Sequence, residues 1–363
     1  MLRKNTLLPY LQALLAAVLF GAAAPLAKLL LGDVDPIPMA SFLYLGSGVT
    51  AMFLLLITNL SRKGQSVEAR LTRPDMPWMA GAMFAGGVAA PIVLLLSLKN
   101  TPASTASLLL NFESVATTLI AVVAFKEAVD RRILWAIGLI TLASILLSWD
   151  AGSGWGISLG ALGILAACFL WGLDNNFTRH ISGKNPLMIV AIKGLGAGTF
   201  SLVLSLALGK PLPGTTTALW TMILGAFSYG LSIHLFILAM RSLGSARTSA
   251  FFSTAPFVGT LLAMLVFKEM PDVLFWLSAL VMAAGAWLML SENHDHYHVH
   301  EPFEHTHAHK HPDEHQDHAH LEDIPLVNGV HAHVHSHETL AHSHAHTPDL
   351  HHRHVHEAAT DVR

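Results

Sequence analysis

Ten apolar stretches, joined by short polar links, fill the first 291 residues of this 363-residue chain. They run near 8–31, 38–59, 77–98, 103–125, 132–149, 156–178, 186–208, 217–240, 247–267 and 272–291. About 20 apolar residues in a helix cross the roughly 30 Å hydrocarbon core of a bilayer. Continuous apolar runs favour helices, because the strands of a membrane barrel would alternate polar and apolar residues. Composition agrees: charged residues are 12% and apolar residues 53% of the chain, against roughly 25% charged in a soluble domain. The expected fold class is an all-α membrane protein of ten transmembrane helices with a polar C-terminal tail. The lipid bilayer is its first partner.

The same composition excludes several functions. A single cysteine, Cys168, rules out a disulfide scaffold and any Cys-rich zinc module, and it reads as an inert packing residue. A formal charge of −3 offers no footprint for nucleic acid. The links, such as 32–38 and 150–156, are too short for a catalytic domain, and neither a phosphate loop nor an H-E-x-x-H pair occurs. The chain is not expected to be an enzyme, and it carries no evident ATPase of its own.

Lys and Arg accumulate on the cytoplasmic side of membrane proteins. With the N-terminus inside, the inner links hold thirteen of them and the outer links four: Lys28, Lys99, Lys210 and Lys268. Ten spans then return the tail to the cytoplasm. Arg3, Lys4 and the small residues at 21–24 also suit a cleavable signal peptide. The length of the first span and its place in an internal repeat argue against cleavage.

That repeat is legible at an offset of 142 residues. Phe125-Lys126-Glu127 recurs as Phe267-Lys268-Glu269, Trp78 meets Trp220, and Lys99 meets Arg241. Upstream, Phe20-Gly21 pairs with Trp171-Gly172 at an offset of 151. Five spans per half is odd, so the halves insert in opposite orientations, an arrangement suited to alternating access around a midplane site. The expected organisation is a first five-helix repeat over 1–150, a second over 151–291, and the tail over 292–363. Lys126-Glu127 and Lys268-Glu269 would then lie at opposite faces, capping or anchoring their helices.

Two five-helix halves, Trp171-Gly172 in the sixth span, and a fourth and ninth span each ending in Phe-Lys-Glu resemble the drug/metabolite transporter superfamily, EamA branch. The likeness covers about residues 8–291. It implies a secondary carrier, often an exporter of amino acids, metabolites or drugs, in a bacterial inner membrane. This chain departs from the common pattern where Pro256 aligns with Ser114, beside Glu113, and in the polar sixth span WGLDNNFTR.

Ionisable groups inside a span cost about 2.5–3.5 kcal/mol each on insertion scales and mark function by default. Glu113 stands near the middle of the fourth span, beside Asn111. Asp174 and Asn175 lie in the sixth, Lys193 in the seventh and His234 in the eighth. Asp174 and Lys193 are equally far from the turn between their spans, which permits an ion pair. These six residues are the candidate substrate-binding and coupling groups, with Glu113 suited to carry a proton. The competing reading is structural, with a buried pair holding register and His234 a satisfied imidazole. His180, beside Arg179 at the inner surface, reads as solvated, and Trp78 and Trp220 as interfacial anchors.

Of 24 histidines, 22 lie between His294 and His356. Alternation at i, i+2 sets no single helical face, and the low apolar content argues for a disordered chain. Imidazole with interspersed carboxylates suits Zn, Ni, Co and Cu. The candidate ligands are His294, His296, His298, His300, His305, His307, His309, His311, His331, His333, His335, His337, His342, His344 and His346. No cofactor is required beyond such metal ions, and histidine-rich tails also respond to pH. The leading functional expectation is a carrier of a small solute with a regulatory tail. The alternatives are a divalent-metal exporter fed by the tail, or a membrane-bound metal sensor or store without transport.

Overall fold

A computed structural model describes residues 7–32, 34–61, 69–125, 131–149, 157–181, 184–243, 248, 251–290, 294–300, 303–310, 330–337 and 340–346. Side chains of 61, 125, 240–243, 289–290 and the tail segments stand outside that description. Among the described residues, eight helices are long and apolar enough to cross a membrane. They are α1 (Leu8–Leu31), α2 (Pro36–Leu60), α3 (Arg73–Leu98), α4 (Ala103–Ala124), α5 (Arg131–Ser148), α6 (Leu159–His180), α7 (Pro186–Ala207) and α8 (Thr215–Ala239). Two shorter apolar helices follow, α9 (Ala255–Phe267) and α10 (Val273–Leu288). Helix α9 follows a turn at Ser253–Thr254, where the Thr254 N–H bonds the Phe251 carbonyl at 3.2 Å, and Phe251 and Phe252 before the turn are helical. Ser158 and Asn185 cap the starts of α6 and α7, each accepting a backbone N–H at 3.3 Å.

Burial is inverted relative to a soluble protein. Many inner positions are small, with Ala13, Ala16, Ala17, Ala136 and Ala167 fully buried alongside larger residues such as Met39, Leu43, Leu95 and Leu108. Large apolar side chains point outward, with Val123, Trp135, Leu265, Leu280 and Trp287 each 70% or more exposed. This is the surface that hydrocarbon requires, since helices in lipid gain little from burying large apolar groups and much from close approach of small ones.

The packing confirms the two-fold repeat. Helix α6, the first of the second half, lies against α3 and α4 of the first half, and α1, the first of the first half, lies against α8 and α9 of the second. The repeat-equivalent glycines make both crossings. A Cβ on Gly21 would sit 2.2 Å from the Ala255 carbonyl oxygen, and one on Gly172 would sit 2.9 Å from the Thr117 nitrogen. Helices α2 and α7 pack along their lengths, with Gly48 and Gly194 each too close to the opposing backbone for any side chain. Helices α5 and α10 form a second such pair.

Ion pairs brace the α2–α7 region at both ends. At one face Lys210 meets Asp35 at 3.0 Å; at the other Lys184 meets Asp75 at 3.5 Å. Asp35 follows α1 and Lys210 follows α7, whereas Lys184 follows α6 and Asp75 lies in the first turn of α3, so the signs are exchanged between the two pairs. Partial burial works against ionised Asp35, but the Lys210 and Ile37 hydrogen bonds and the charges of Lys210 and Lys99 outweigh it. Its carboxyl is therefore held below the ordinary value of 3.8. A depressed folded value means that the pair contributes stability above the unfolded value and loses it as pH falls through the folded one. We expect Asp35→Asn to flatten the loss of Tm of the purified protein below about pH 4. The effect is at most about 1 kcal/mol, since Lys210 is 40% exposed.

Four stretches of the tail, expected as disordered chain, are described as strands. β1 (His294–His300) pairs antiparallel with β4 (Leu340–His346), and β2 (Phe303–Lys310) with β3 (Val330–His337). A sequence alternating at period two fits extended backbone better than helix. The register sets His296 opposite His344 and His307 opposite His333. The side chains of the candidate metal ligands, and His311 altogether, lie outside the described residues.

Candidate functional site

Helix α4 is broken near its middle. The α-helical ladder stops after Leu109, and single turns at Leu110 and Asn111 carry the chain into a second helical segment that starts at Phe112. The break repeats at Ser253–Thr254, just before α9 and close to 142 residues later. Discontinuous helices free backbone groups at mid-membrane depth, where they are tolerated only against protein or a water-filled cavity. Glu113 lies in the first turn after the break.

Its partner comes from α6. Asn175 Nδ2 donates to Glu113 Oε1 at 2.9 Å and to Thr117 Oγ1 at 3.1 Å. Asn176 donates to the carbonyls of Thr117 at 3.0 Å and Gly172 at 2.8 Å, which locks α6 onto α4 beside the close approach at Gly172. Asn111 is buried, and its amide returns to the Leu108 carbonyl at 3.2 Å, closing the broken turn. Asn175 and Ser114 nevertheless keep open surface, and Glu113 is partly accessible. Open polar surface at mid-span is costly against lipid, which offers no hydrogen bonds.

The second group is an ion pair. Lys193 Nζ of α7 donates to Asp174 Oδ2, and Thr178 Oγ1 donates to Asp174 Oδ1 at 3.0 Å. Asp174 is 4% exposed, so its charge is compensated inside the protein. Helix α3 reaches this pair through Gly86, where a Cβ would collide with Asp174 Oδ2 at 1.9 Å. The Gly86 carbonyl accepts from the Tyr44 hydroxyl and from Trp171 Nε1, the latter at 3.1 Å.

Gly86 belongs to a π-helical turn over Met83–Ala89, and α8 carries a second over Ala226–Leu231. The repeat offset superimposes the two almost residue for residue. Single π-turns gather at functional sites, where the wider turn re-aims backbone and side chains. The two turns meet through Tyr44 and Tyr229, whose rings lie 5.7 Å apart.

Sequence reasoning named Glu113, Asn111, Asp174, Asn175 and Lys193, and the structure gathers these around the α4–α6–α7 contact. His234 stands on α8 just past its π-turn, partly buried; among the described hydrogen bonds none joins it to Glu113 or Asp174. The sequence did not reveal Tyr44, Thr117 or the role of Gly86, although Gly86-Gly87 ahead of Pro91 was a usable signal for a distorted helix. His180 is not simply solvated: its ring stacks on Trp78 at 3.9 Å, and Nδ1 lies 3.0 Å from the Asn176 carbonyl oxygen.

Two interlocked five-helix halves around mid-span polar groups define a multi-pass membrane transporter. The chain belongs to the EamA-like transporter family, which matches residues 7–149 and 158–291. It is similar to an uncharacterized transporter of Methanothermobacter thermautotrophicus, 27% identical over 296 residues, covering 77% of this chain and 85% of that one. It is also similar to the uncharacterized inner membrane transporter YedA of Escherichia coli, 22% identical over 76% of this chain and 89% of that one. One crystal structure shares the fold with a TM-score of 0.56 at 19% identity, covering 78% of this chain and 94% of the other.

Proposed function

We propose that this protein is a secondary active carrier that exports a small metabolite, amino acid or drug-like solute by alternating access, with Glu113 exchanging a proton during the cycle. The observation that supports this is the open Glu113–Asn175–Thr117 group at the break in α4, beside the compensated Asp174–Lys193 pair. Asp174 is neutralised by its lysine, whereas the Glu113 carboxylate accepts from the neutral Asn175 amide. A solute carrying an amine can take that place, and a proton can take it in exchange. The excess of Lys and Arg on the links of the Lys184 face supports a bacterial inner-membrane orientation with that face and both termini in the cytoplasm.

The tail supports a second, separate role as a metal-binding regulator. Its density of imidazoles suits divalent Zn, Ni, Co or Cu, and strand pairing that sets histidine opposite histidine brings ligands to neighbouring positions. In the membrane part, no group of three or more His, Cys, Asp or Glu occurs among the described residues, which favours an organic solute over a metal ion as cargo.

The test is efflux and uptake by proteoliposomes holding either the full chain or a chain ending at Ser291. Amino acids, organic amines and divalent ions are offered with and without an imposed pH gradient. We expect an organic solute to move in response to the gradient with either chain, and divalent ions to change its rate only with the tail present. Movement of divalent ions alone, abolished by removing the tail, would replace this reading with metal export. No movement of any solute would favour a sensor.

A further inference from the structure

Glu269 was expected to cap or anchor its own helix, but it does neither. It follows the last turn of α9, yet both of its carboxylate oxygens reach the first turn of α4 in the other half. Oε1 accepts the Ala103 N–H at 2.8 Å and Oε2 the Ser104 N–H at 2.9 Å. A carboxylate on the unsatisfied N–H groups of a helix start is a charge-assisted contact favoured by the helix dipole.

Three further contacts converge there. Lys28, near the end of α1, donates from Nζ to the Thr101 carbonyl and lies over the Phe267 ring at 6.0 Å. Thr260 of α9 donates to the Ser104 carbonyl at 3.3 Å. The turn that delivers Glu269 is itself held in an uncommon conformation. Lys268 has φ 52°, the left-handed region, and among the described residues no other non-glycine residue has a positive φ. Such a conformation costs of order 1 kcal/mol or more and persists only where the surroundings impose it.

The location gives this contact its meaning. The α2–α7 region is braced by ion pairs at both faces at once, Asp35–Lys210 and Asp75–Lys184, so it behaves as a fixed frame. Helices α1, α4 and α9 carry the glycine crossing and border the two helix breaks, and Glu269 ties them together at the Lys210 face only. Between this tie and Glu113 the α4–α9 contact is tight, with Ser107 against Gly259.

We propose that Glu269 is the latch of the gate at the Lys210 face: while its carboxylate holds the start of α4, the chamber is shut to that side, and its release lets α4 and α9 part. The inference rests on the alternating-access reading. Release also frees Lys268 from its left-handed turn, so the closed gate stores part of the energy that opens it.

The test uses the full chain in nanodiscs, with Ser107→Cys as reporter in a Cys168→Ser background. Ser107 is buried at 1% exposure between the latch and Glu113. A membrane-impermeant maleimide is added, and the labelling rate is compared with and without Glu269→Ala or Glu269→Gln. Variants are first shown to be monodisperse by size exclusion. We expect labelling to rise at least tenfold with either change. Labelling within twofold of the parent in both folded variants would overturn the latch. Should both fail to fold, a chain that keeps Glu269 carries Ala103→Cys and Met270→Cys joined by a short bifunctional cross-linker. Loss of solute counterflow on linking, recovered with a cleavable linker, supports the latch, and unchanged counterflow overturns it. Labelling that responds in a protein that moves no solute would uphold the gate while ending the transport reading. Transport with unresponsive labelling would do the reverse.

Discussion

Replacing Glu113 by Gln is expected to lower solute flux about 10–100-fold and to flatten its dependence on pH between about 5 and 8, the loss being equivalent to about 1.4–2.7 kcal/mol. The change is nearly isosteric, and a glutamine oxygen still accepts the Asn175 amide now bonded to Glu113 Oε1 at 2.9 Å. The α4–α6 contact has independent support in the Asn176 bond to the Thr117 carbonyl and in the close approach at Gly172. Fold and Tm should therefore stay close to the parent while proton exchange is lost. Flux and pH profile are read together in proteoliposomes with an internal pH dye. Glu113→Gln protein that carries solute at the parental rate with the parental pH profile would remove Glu113 from the coupling step. Glu113→Asp, one methylene shorter, keeps the charge but not the reach to Asn175, so it should retain the pH dependence at reduced rate.

Lys193→Met should be the most damaging single change to stability. It leaves Asp174, 4% exposed, without its counter-charge, and breaking one side of a buried pair costs about 3–5 kcal/mol. Asp174→Asn is milder, because the side chain keeps an oxygen for Thr178, which now bonds Asp174 Oδ1 at 3.0 Å, and Lys193 is partly accessible. The double variant Asp174→Asn/Lys193→Met removes both charges and is expected to return most of the lost Tm, since replacing a buried pair outright is often neutral or stabilising. Thermal unfolding in detergent reads all three. A Lys193→Met protein with parental Tm would show that the pair carries no stability. Transport by the double variant then separates two roles. Parental flux assigns the pair to register alone, whereas a folded but inactive double variant assigns it to the solute.

Much of the architecture was legible because hydrocarbon imposes it. Span positions follow from run length, and the two halves follow from Phe125–Glu127 against Phe267–Glu269 and from the glycines of Phe20-Gly21 and Trp171-Gly172. The structure adds the reason for those glycines, which is helix contact at backbone distance. Asp174 and Lys193 could be placed at one depth because a helical hairpin fixes depth by counting from its turn. The partner of Glu113 could not be found that way. Asn175 lies on another helix, and which faces of α4 and α6 meet depends on packing across the bundle. The π-turns of α3 and α8 left no trace in apolar periodicity, since one extra residue in a turn changes neither hydropathy nor length. The break at Ser253–Thr254 was hidden for a related reason: between apolar segments it looks, in composition, like continuous helix.

The crossing of α1 over α8 and α9 also bears on how the chain is made. Gly21 finds its contact at Ala255, which leaves the ribosome 234 residues afterwards; at 5–20 residues per second that is a delay of roughly 12–47 s. Over that interval the first helix sits in the bilayer with its small-residue flank uncovered. The nascent protein is most open to premature association, or to capture by the insertion machinery, while only its first half has emerged.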